Sequence, residues 1–176
     1  PYKSLDWHIE LARQNRKVEG HLNSDVLFTS LRKNPAFETN SRYELVVVNE
    51  PIHWSNASLR TVGGIGWPGQ GAIITLDGYL GLLQPVIGES DGARGKRQFD
   101  FFLGTQMLAM HEPGHMLGLF PGTSAVNPTD EEIKQMHCLN ECVMYGPYDY
   151  DLEIRIQDRP FCPSCLEKLK QFFIAP

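Results

Sequence analysis

The spacing of apolar residues predicts two amphipathic helices near the start of the chain. Residues 4–17 carry apolar residues at helical intervals with charged residues between them. A second run at helical spacing covers residues 26–32, and the preceding Asn23, Ser24 or Asp25 can cap it. We therefore expect the chain to begin with two helices that bury one face each.

Two short apolar runs predict strands. Residues 43–48 are rich in β-branched side chains, which predicts a buried strand. Glycines crowd residues 62–71, but Pro68 interrupts them and no Lys-Ser/Thr pair follows, so we interpret this stretch as a turn-rich connection rather than a phosphate loop. Residues 72–76 form the second strand, either in the core or at a sheet edge where an extended peptide could pair with it.

The apolar run 99–110 predicts a buried helix that begins near residues 98–100. Residues 89–96 are glycine-rich and charged, so a loop is expected before it, and the basic stretch 94–97 is interpreted as solvated. Gly118 lies where helices commonly end in a left-handed turn. The helix should therefore span most of residues 99–117.

The composition is typical of one folded domain spanning residues 1–176. Apolar residues make up 41% and charged residues 21%, and the net charge is -5 without a dense cluster of Lys and Arg, so no nucleic-acid partner is expected. No apolar run is long enough to cross a membrane, and no signal-peptide pattern opens the chain. We expect a monomeric cytoplasmic protein with no membrane partner; secretion stays open because the sequence begins at Pro1.

The strongest chemical motif lies at the end of the predicted helix, where His111, Glu112 and His115 form an H-E-x-x-H pattern. Residues four apart project from the same face of a helix, so both imidazoles can bind one Zn²⁺ at about 2.0–2.1 Å. Glu112 lies beside them, where a carboxylate can take a proton from a metal-bound water. This pattern predicts a catalytic metal site.

The four cysteines form a second pattern of metal-ligand type, one C-x-x-x-C and one C-x-x-C. The residues are Cys138, Cys142, Cys162 and Cys165. Two pairs at this spacing suit a tetrahedral zinc site with four thiolate ligands. The alternative is two disulfides, which nothing else in the chain favours because no sign of secretion accompanies them.

A catalytic zinc normally has three protein ligands, so one more is needed. Of the six histidines, His8, His21 and His53 lie in unrelated segments, and His53 is interpreted as a surface or half-buried residue of a loop. His137 adjoins the first cysteine and is the best candidate. An acid such as Asp130 or Glu141 is the alternative third ligand.

Together these motifs resemble the signature of the archaemetzincins, a family of metzincin zinc peptidases, over roughly residues 98–169. The matching residues are His111, Glu112, His115, Gly118, His137, Cys138, Cys142, Met144, Cys162 and Cys165. The resemblance implies that the three histidines hold a catalytic zinc with Glu112 as general base and acid. It also implies that Met144 forms the Met-turn beneath this metal and that the four cysteines bind a second, structural zinc.

The chain departs from the family pattern in three places. Residues 119–136 form an insertion before the third histidine, which the family places three residues after the glycine. The first cysteine pair is separated by three residues rather than four. Pro113 lies inside the zinc helix, where it removes one backbone hydrogen bond. Because it lies about 200° around the helix from His111, we expect distortion behind the metal face without loss of the site.

We therefore expect an α+β fold of the zincin or metzincin type. Helices and a small twisted mixed sheet would occupy about residues 1–98, and the zinc helix, insertion, Met-turn and cysteine-zinc part about residues 99–176. The expected function is a zinc-dependent peptidase with two zinc ions, in which Glu112 assists attack of a zinc-bound water on a peptide or protein substrate. The alternative is a zinc-stabilised binding module with weak or no peptidase activity.

Overall fold

The structure, a computed structural model, describes residues 4–33, 43–54, 61–120, 135–140, 142–145 and 160–174 of the chain. Helices and strands are both present, so the protein is of the α+β class. The helices are α1 (Leu5–Gln14), α2 (Ser24–Arg32), α3 (Asp77–Leu80), a 3₁₀ turn (Gly81–Leu83), α4 (Asp91–Met116) and α5 (Pro163–Ile174). The strands are β1 (Leu22–Asn23), β2 (Glu44–Val48), β3 (Ile52–His53), β4 (Thr61–Val62), β5 (Gly64–Trp67) and β6 (Gly71–Thr75).

The two predicted N-terminal helices are confirmed as α1 and α2, which pack against each other. The Ser4 side chain caps α1 by accepting from the Trp7 N–H at 3.3 Å. Asn23 caps α2, because its side-chain oxygen accepts from the Val26 N–H at 3.2 Å. Both caps satisfy backbone groups that a helix start leaves without an intrahelical partner.

The strands form two small mixed sheets of three strands each. In the first, β1 pairs parallel with β3, and β3 pairs antiparallel with β4. In the second, β6 lies between β2, its parallel neighbour, and β5, its antiparallel neighbour. The long helix α4 packs across β5 and β6, so the second sheet supports the helix that carries the H-E-x-x-H motif.

Two expectations about the strands were wrong in part, and one open alternative was decided. The strand at residues 43–48 exists as β2, but it is not buried throughout, because Leu45 and Val47 lie on one face of it and are exposed. The strand at 72–76 exists as β6, and of its two predicted positions the one in the core is confirmed, since β6 is central and fully buried. Part of the glycine-rich connection forms β5, since glycine permits the close approach to α4 described below.

The interpretation of His53 as a loop residue near the surface was also wrong. It lies in β3, pairs in register with Asn23 of β1, and is only 1% exposed. Its Nε2 accepts from the Lys17 N–H at 3.3 Å, and its carbonyl accepts from the Ser24 hydroxyl at 2.8 Å. Parallel pairing with a distant strand buries this residue, and the local sequence contains no signal of that pairing.

Helix α4 begins at Asp91, several residues earlier than expected, so the glycine-rich stretch is helical and not a loop. The Ser90 side chain caps it by accepting from the Ala93 N–H at 3.3 Å. Arg97 then pairs with Glu89 at 2.5 Å and also donates to the Leu82 carbonyl, which fastens the first turns to the preceding segment. The cap and this ion pair offset the low helix propensity of the glycines.

Two apolar clusters form the core among the described residues. The first joins α1, α2 and the sheets, through Ala12, Leu22, Leu27, Phe28, Leu31, Val48, Ile52 and Ile73. The second lies beneath the end of α4, through Leu103, Met107, Leu119, Cys138, Cys142, Val143, Met144 and Cys165. The second cluster therefore supports both the histidine and the cysteine candidates for metal binding.

None of the described helices is both long enough and apolar enough to cross a membrane.

Replacing the α4 cap tests where this helix begins. Ser90→Ala should lower the free energy of unfolding by about 1 kcal/mol, because the Ala93 N–H loses its acceptor. Ser90→Asn should retain wild-type stability, since Asn is an equally good cap. Urea unfolding followed by circular dichroism measures both. Equal stability of wild type and Ser90→Ala would place the helix start elsewhere.

Candidate metal centres

The last turns of α4 carry the H-E-x-x-H residues on an unbroken helix. Pro113 is tolerated within it, and its carbonyl accepts from the Leu117 N–H at 2.9 Å. Gly118 has a φ of 82°, so the expected left-handed helix end is confirmed. The chain then turns back, and the Leu119 N–H bonds to the Gly114 carbonyl at 2.9 Å. Pro113 lacks the backbone N–H for one helical hydrogen bond, yet the helix continues through the motif.

The rings of His111 and His115 face each other through their Nε2 atoms, which lie 3.0 Å apart. The His111 Nδ1 lies 2.7 Å from the Val143 carbonyl, and the His115 Nδ1 lies 3.0 Å from the carbonyls of both Leu119 and Phe120. A carbonyl can only accept, so each Nδ1 carries the proton and each Nε2 presents a lone pair. Two such lone pairs repel each other unless a cation lies between them.

Phe120 contributes a backbone carbonyl to this arrangement and was not identified from the sequence. It adopts a φ of 49°, which is uncommon for a bulky residue other than glycine. This backbone conformation follows directly on the helix end and turns two successive carbonyls toward His115. Hydrogen bonds of this kind fix the tautomer and the ring orientation of a metal-binding histidine.

Burial keeps both imidazoles neutral. Desolvation, together with the neighbouring histidines, lowers the pKa of His111 well below its ordinary value. Desolvation and His137 lower the pKa of His115 to about 4. A metal competes with protons for the ring nitrogen, so a neutral imidazole at neutral pH is ready to bind without first losing a proton.

His137, the predicted third ligand, lies with the other two. Its ring centroid is 5.1 Å from that of His111 and 5.3 Å from that of His115. One ring nitrogen from each of the three residues lies within 4.8 Å of the others, close enough to hold a metal ion. We call these three residues the histidine centre. The alternative ligands Asp130 and Glu141, like residues 121–134 of the insertion, lie outside the described residues.

Glu112 is enclosed between α4 and β5. The Gly66 N–H bonds to its carboxylate, and burial raises the pKa of this carboxyl to about 8 despite that bond. A Cβ atom at Gly64 would lie 2.4 Å from the Glu112 Cγ, and one at Gly66 would lie 2.3 Å from its backbone oxygen. These two glycines were read from the sequence only as turn residues. The signal in the sequence was glycine at alternate positions of a strand, which indicates that another element packs closely against that face.

The four cysteines form a second cluster, which we call the cysteine centre. All four are free thiols, and their sulfur atoms lie within 4.8 Å of one another. The sulfurs of Cys138 and Cys162 are 3.7 Å apart, and those of Cys142 and Cys165 are 3.9 Å apart. A disulfide requires about 2.05 Å. Four thiolates at about 2.3 Å around a tetrahedral ion are separated by about 3.8 Å. The geometry therefore suits a four-thiolate metal site better than two disulfides.

Metal binding at the cysteine centre must displace protons from buried thiols. Burial raises the pKa of the Cys142 thiol to about 11 and also raises that of Cys165. Thiolate is the form that binds a metal, so occupancy should depend on pH.

Met144 lies beneath α4 and is fully buried. A Cβ atom at Gly114 would lie 2.3 Å from its sulfur, so the absence of a side chain at this position lets the methionine pack against the helix. The backbone around it turns tightly, because the Tyr145 N–H bonds to the Cys142 carbonyl at 2.9 Å. The structure thus places Met144 beneath the helix segment between the two motif histidines.

No protein-family model matches this chain, and neither does any curated protein or any solved structure. Among the described residues, the histidine centre and the cysteine centre are the two groups of His, Cys, Asp and Glu that could hold a metal ion. Function must therefore be inferred from their donor atoms, distances and burial.

A side chain added beneath the histidine centre should disturb it. Gly114→Ala should lower the free energy of unfolding by about 1–3 kcal/mol and weaken metal binding, because the new methyl group displaces Met144. The matched control is Gly95→Ala in the same helix, where nothing lies within 4 Å, and it should stabilise by about 0.5–1 kcal/mol. Thermal unfolding and a zinc titration provide the two measurements. Equal behaviour of the two variants would show that Gly114 and Met144 are not in close contact.

The raised pKa of Glu112 predicts a pH-dependent stability difference in the metal-free protein. Between pH 4.5 and about 8 the folded state holds a proton on Glu112 that the unfolded chain releases. The stability of wild type relative to Glu112→Gln should therefore fall as pH rises through this window, by at most about 1.4 kcal/mol per pH unit. Urea unfolding at pH 5 and pH 8 with a chelator present measures it. A difference that does not change with pH would contradict the burial of an ionisable carboxyl.

Proposed function

We propose that this protein is a zinc-dependent peptidase of metzincin type, related to the archaemetzincins. One observation carries the proposal: three histidine nitrogens converge within 4.8 Å, next to a buried glutamate on the same helix. Three protein ligands with a further position left for water or substrate distinguish catalytic zinc sites from closed structural ones. The cysteine centre, with four ligands, has the composition of a closed structural site.

The donor atoms support zinc in both centres, and hence two zinc ions per chain. Tetrahedral thiolate sites favour zinc, and imidazole ligands suit it as well. His111, His115 and His137 would hold the catalytic ion, and Cys138, Cys142, Cys162 and Cys165 the structural one. Hydrogen bonds from both Nδ1 atoms to backbone carbonyls orient the helix histidines as zinc ligands are commonly oriented.

When bound, the zinc ion supplies a Lewis acid for the scissile carbonyl and makes a nearby water more acidic. Glu112 accepts one proton from the attacking water and later gives it to the departing amine. The hydroxyl is added to the carbonyl carbon as the C–N bond breaks, so one water is consumed for each bond cleaved. The Gly66 N–H holds the Glu112 carboxylate in one orientation for both transfers.

The position of β5 supports a peptide substrate. Among the described strands it is an outer one, and it runs against α4, since a Cβ atom at Gly66 would lie 2.7 Å from that of His115. An extended peptide can add to an outer strand through main-chain hydrogen bonds and thereby lie beside the metal ligands. The peptide-binding edge considered for residues 72–76 is thus proposed for β5 instead.

The second candidate function is a zinc-stabilised binding module. The complete burial of Glu112 favours it, because a carboxyl held by β5 and shielded from solvent is poorly placed to exchange protons with an incoming water. In such a protein the cysteine centre would stabilise the fold, and the histidine centre would bind metal without cleaving peptides.

Substitution of the proposed base separates the two functions. Glu112→Gln should lower kcat for cleavage of a peptide library by about 10²–10⁴-fold, because the proton transfers are lost while the histidine ligands remain. Zinc content by mass spectrometry should stay at two ions per chain. Peptide cleavage is measured by the appearance of new amino termini.

Two further variants complete this test. His137→Ala should reduce the zinc content from two ions to one, whereas an acidic third ligand would leave two. The matched control is His21→Ala, a half-buried N-terminal loop histidine outside both centres, which should retain both ions and activity. Wild type that binds two zinc ions yet cleaves no peptide would reject the peptidase and favour the binding module.

A further inference from the structure

One loop, described over residues 137–140 and 142–145, supplies groups to both centres. His137 belongs to the histidine centre and the next residue, Cys138, belongs to the cysteine centre. The Val143 carbonyl, one residue beyond the ligand Cys142, accepts the hydrogen bond from the His111 ring at 2.7 Å. The loop therefore provides one ligand of the histidine centre and orients a second.

The hydrogen bonds that shape this loop are largely local. The Cys138 N–H bonds to the Met144 carbonyl at 2.7 Å, and the Tyr145 N–H bonds to the Cys142 carbonyl at 2.9 Å. The Val143 N–H reaches out of the loop, to the Pro160 carbonyl at 2.6 Å. These bonds set the curvature of the loop, but two of the three do not attach it to the remainder of the protein.

The loop meets α5 through sulfur atoms as well as through apolar packing. Cys162 lies just before α5 and Cys165 lies in its first turn, each less than 4 Å from a loop sulfur. Thiols are weak hydrogen-bond donors and acceptors, so the contacts among four neutral thiols add little to the apolar packing of Val143 and Met144. A metal ion would replace these contacts with four bonds that join the loop to α5.

We infer that occupancy of the cysteine centre sets the metal affinity of the histidine centre, because the ion fixes the loop that carries His137 and the Val143 carbonyl. This inference rests on the proposed function in requiring metal at both centres. Loss of a single orienting hydrogen bond typically costs 10–100-fold in metal affinity. Displacement of His137 adds to that loss, so we expect a coupling of at least about tenfold.

The test compares zinc affinity at the histidine centre in variants of α5 and its start. Cys162→Ser with Cys165→Ser removes two thiolate ligands and should weaken zinc binding at the histidine centre at least about tenfold, measured by competition with a chelator. Cys162→His keeps four ligands, since Cys₃His sites also bind zinc, and should restore most of the affinity. The control is Ser164→Ala, an exposed position between the two cysteines that should change nothing. Equal affinity in wild type and the double variant would overturn the inference.

A measurement on the wild-type chain covers the case in which the double variant does not fold. One equivalent of Cd²⁺, a soft ion that prefers thiolates, is added to metal-free protein, and ring ¹⁵N spectra follow His111. Loading of the thiolates should slow hydrogen exchange of the His111 Nδ1 proton, because the Val143 carbonyl becomes fixed. An exchange rate unchanged by this first ion would contradict the inference.

These readouts separate the inference from the proposed function. Metal affinity and imidazole exchange do not depend on peptide cleavage, so coupled centres in a chain without peptidase activity would support the inference and reject the peptidase. Peptide cleavage by a chain whose two centres bind metal independently would support the peptidase and overturn the inference.

Discussion

The hydrogen bond from the His111 ring to the Val143 carbonyl, 2.7 Å long, links the helix that carries the motif to the loop that carries the cysteines. It fixes the proton on Nδ1 and turns the lone pair of Nε2 toward His115, only 3.0 Å away. The same loop carries Cys138 and Cys142, whose sulfur atoms lie within 4 Å of those of Cys162 and Cys165 at α5. The geometry of the histidine centre thus depends on a group supplied by the loop that also carries two residues of the cysteine centre.

Close packing of three layers makes this arrangement possible. Strand β5 lies against one side of α4, and the loop with Met144 lies beneath it. Gly64 and Gly66 permit the first approach, and Gly114 permits the second, because a Cβ at any of these positions would lie within 3 Å of a neighbouring atom. Glycine at these three positions therefore reflects contact with a second layer, rather than a need for unusual backbone angles.

The same packing determines the charge state of the site. Burial lowers the pKa of His111 and His115 and raises that of Glu112 to about 8, so the metal-free site holds neutral imidazoles and a protonated acid near pH 7. A bound cation reverses the second effect, because it favours the carboxylate. In such a buried site, binding of a metal ion should release the proton from Glu112, so metal binding and proton release are linked.

The sequence alone determined the features that depend on local spacing. Helical periodicity located α1 and α2, capping residues also indicated the start of α2, and the four-residue interval placed His111 and His115 side by side. The spacing of the cysteines indicated that all four belong to one group, and the chain brings them together. These predictions succeeded because each depends on residues a few positions apart.

Tertiary structure alone decided the features that depend on residues far apart in the chain. Strand pairing within the two sheets made β6 central, buried His53 in β3 and formed β5 from a glycine-rich stretch. The ion pair of Arg97 with Glu89 helped to begin α4 at Asp91. The position of His137 beside His111 and His115, beyond a long insertion, is also of this kind. An insertion of that length allows His137 to lie at many different places, because the entropic cost of closing a loop rises only slowly with its length. The packing of Cys138, Cys142, Val143 and Met144 against α4 and α5 fixes His137 where its imidazole meets those of His111 and His115.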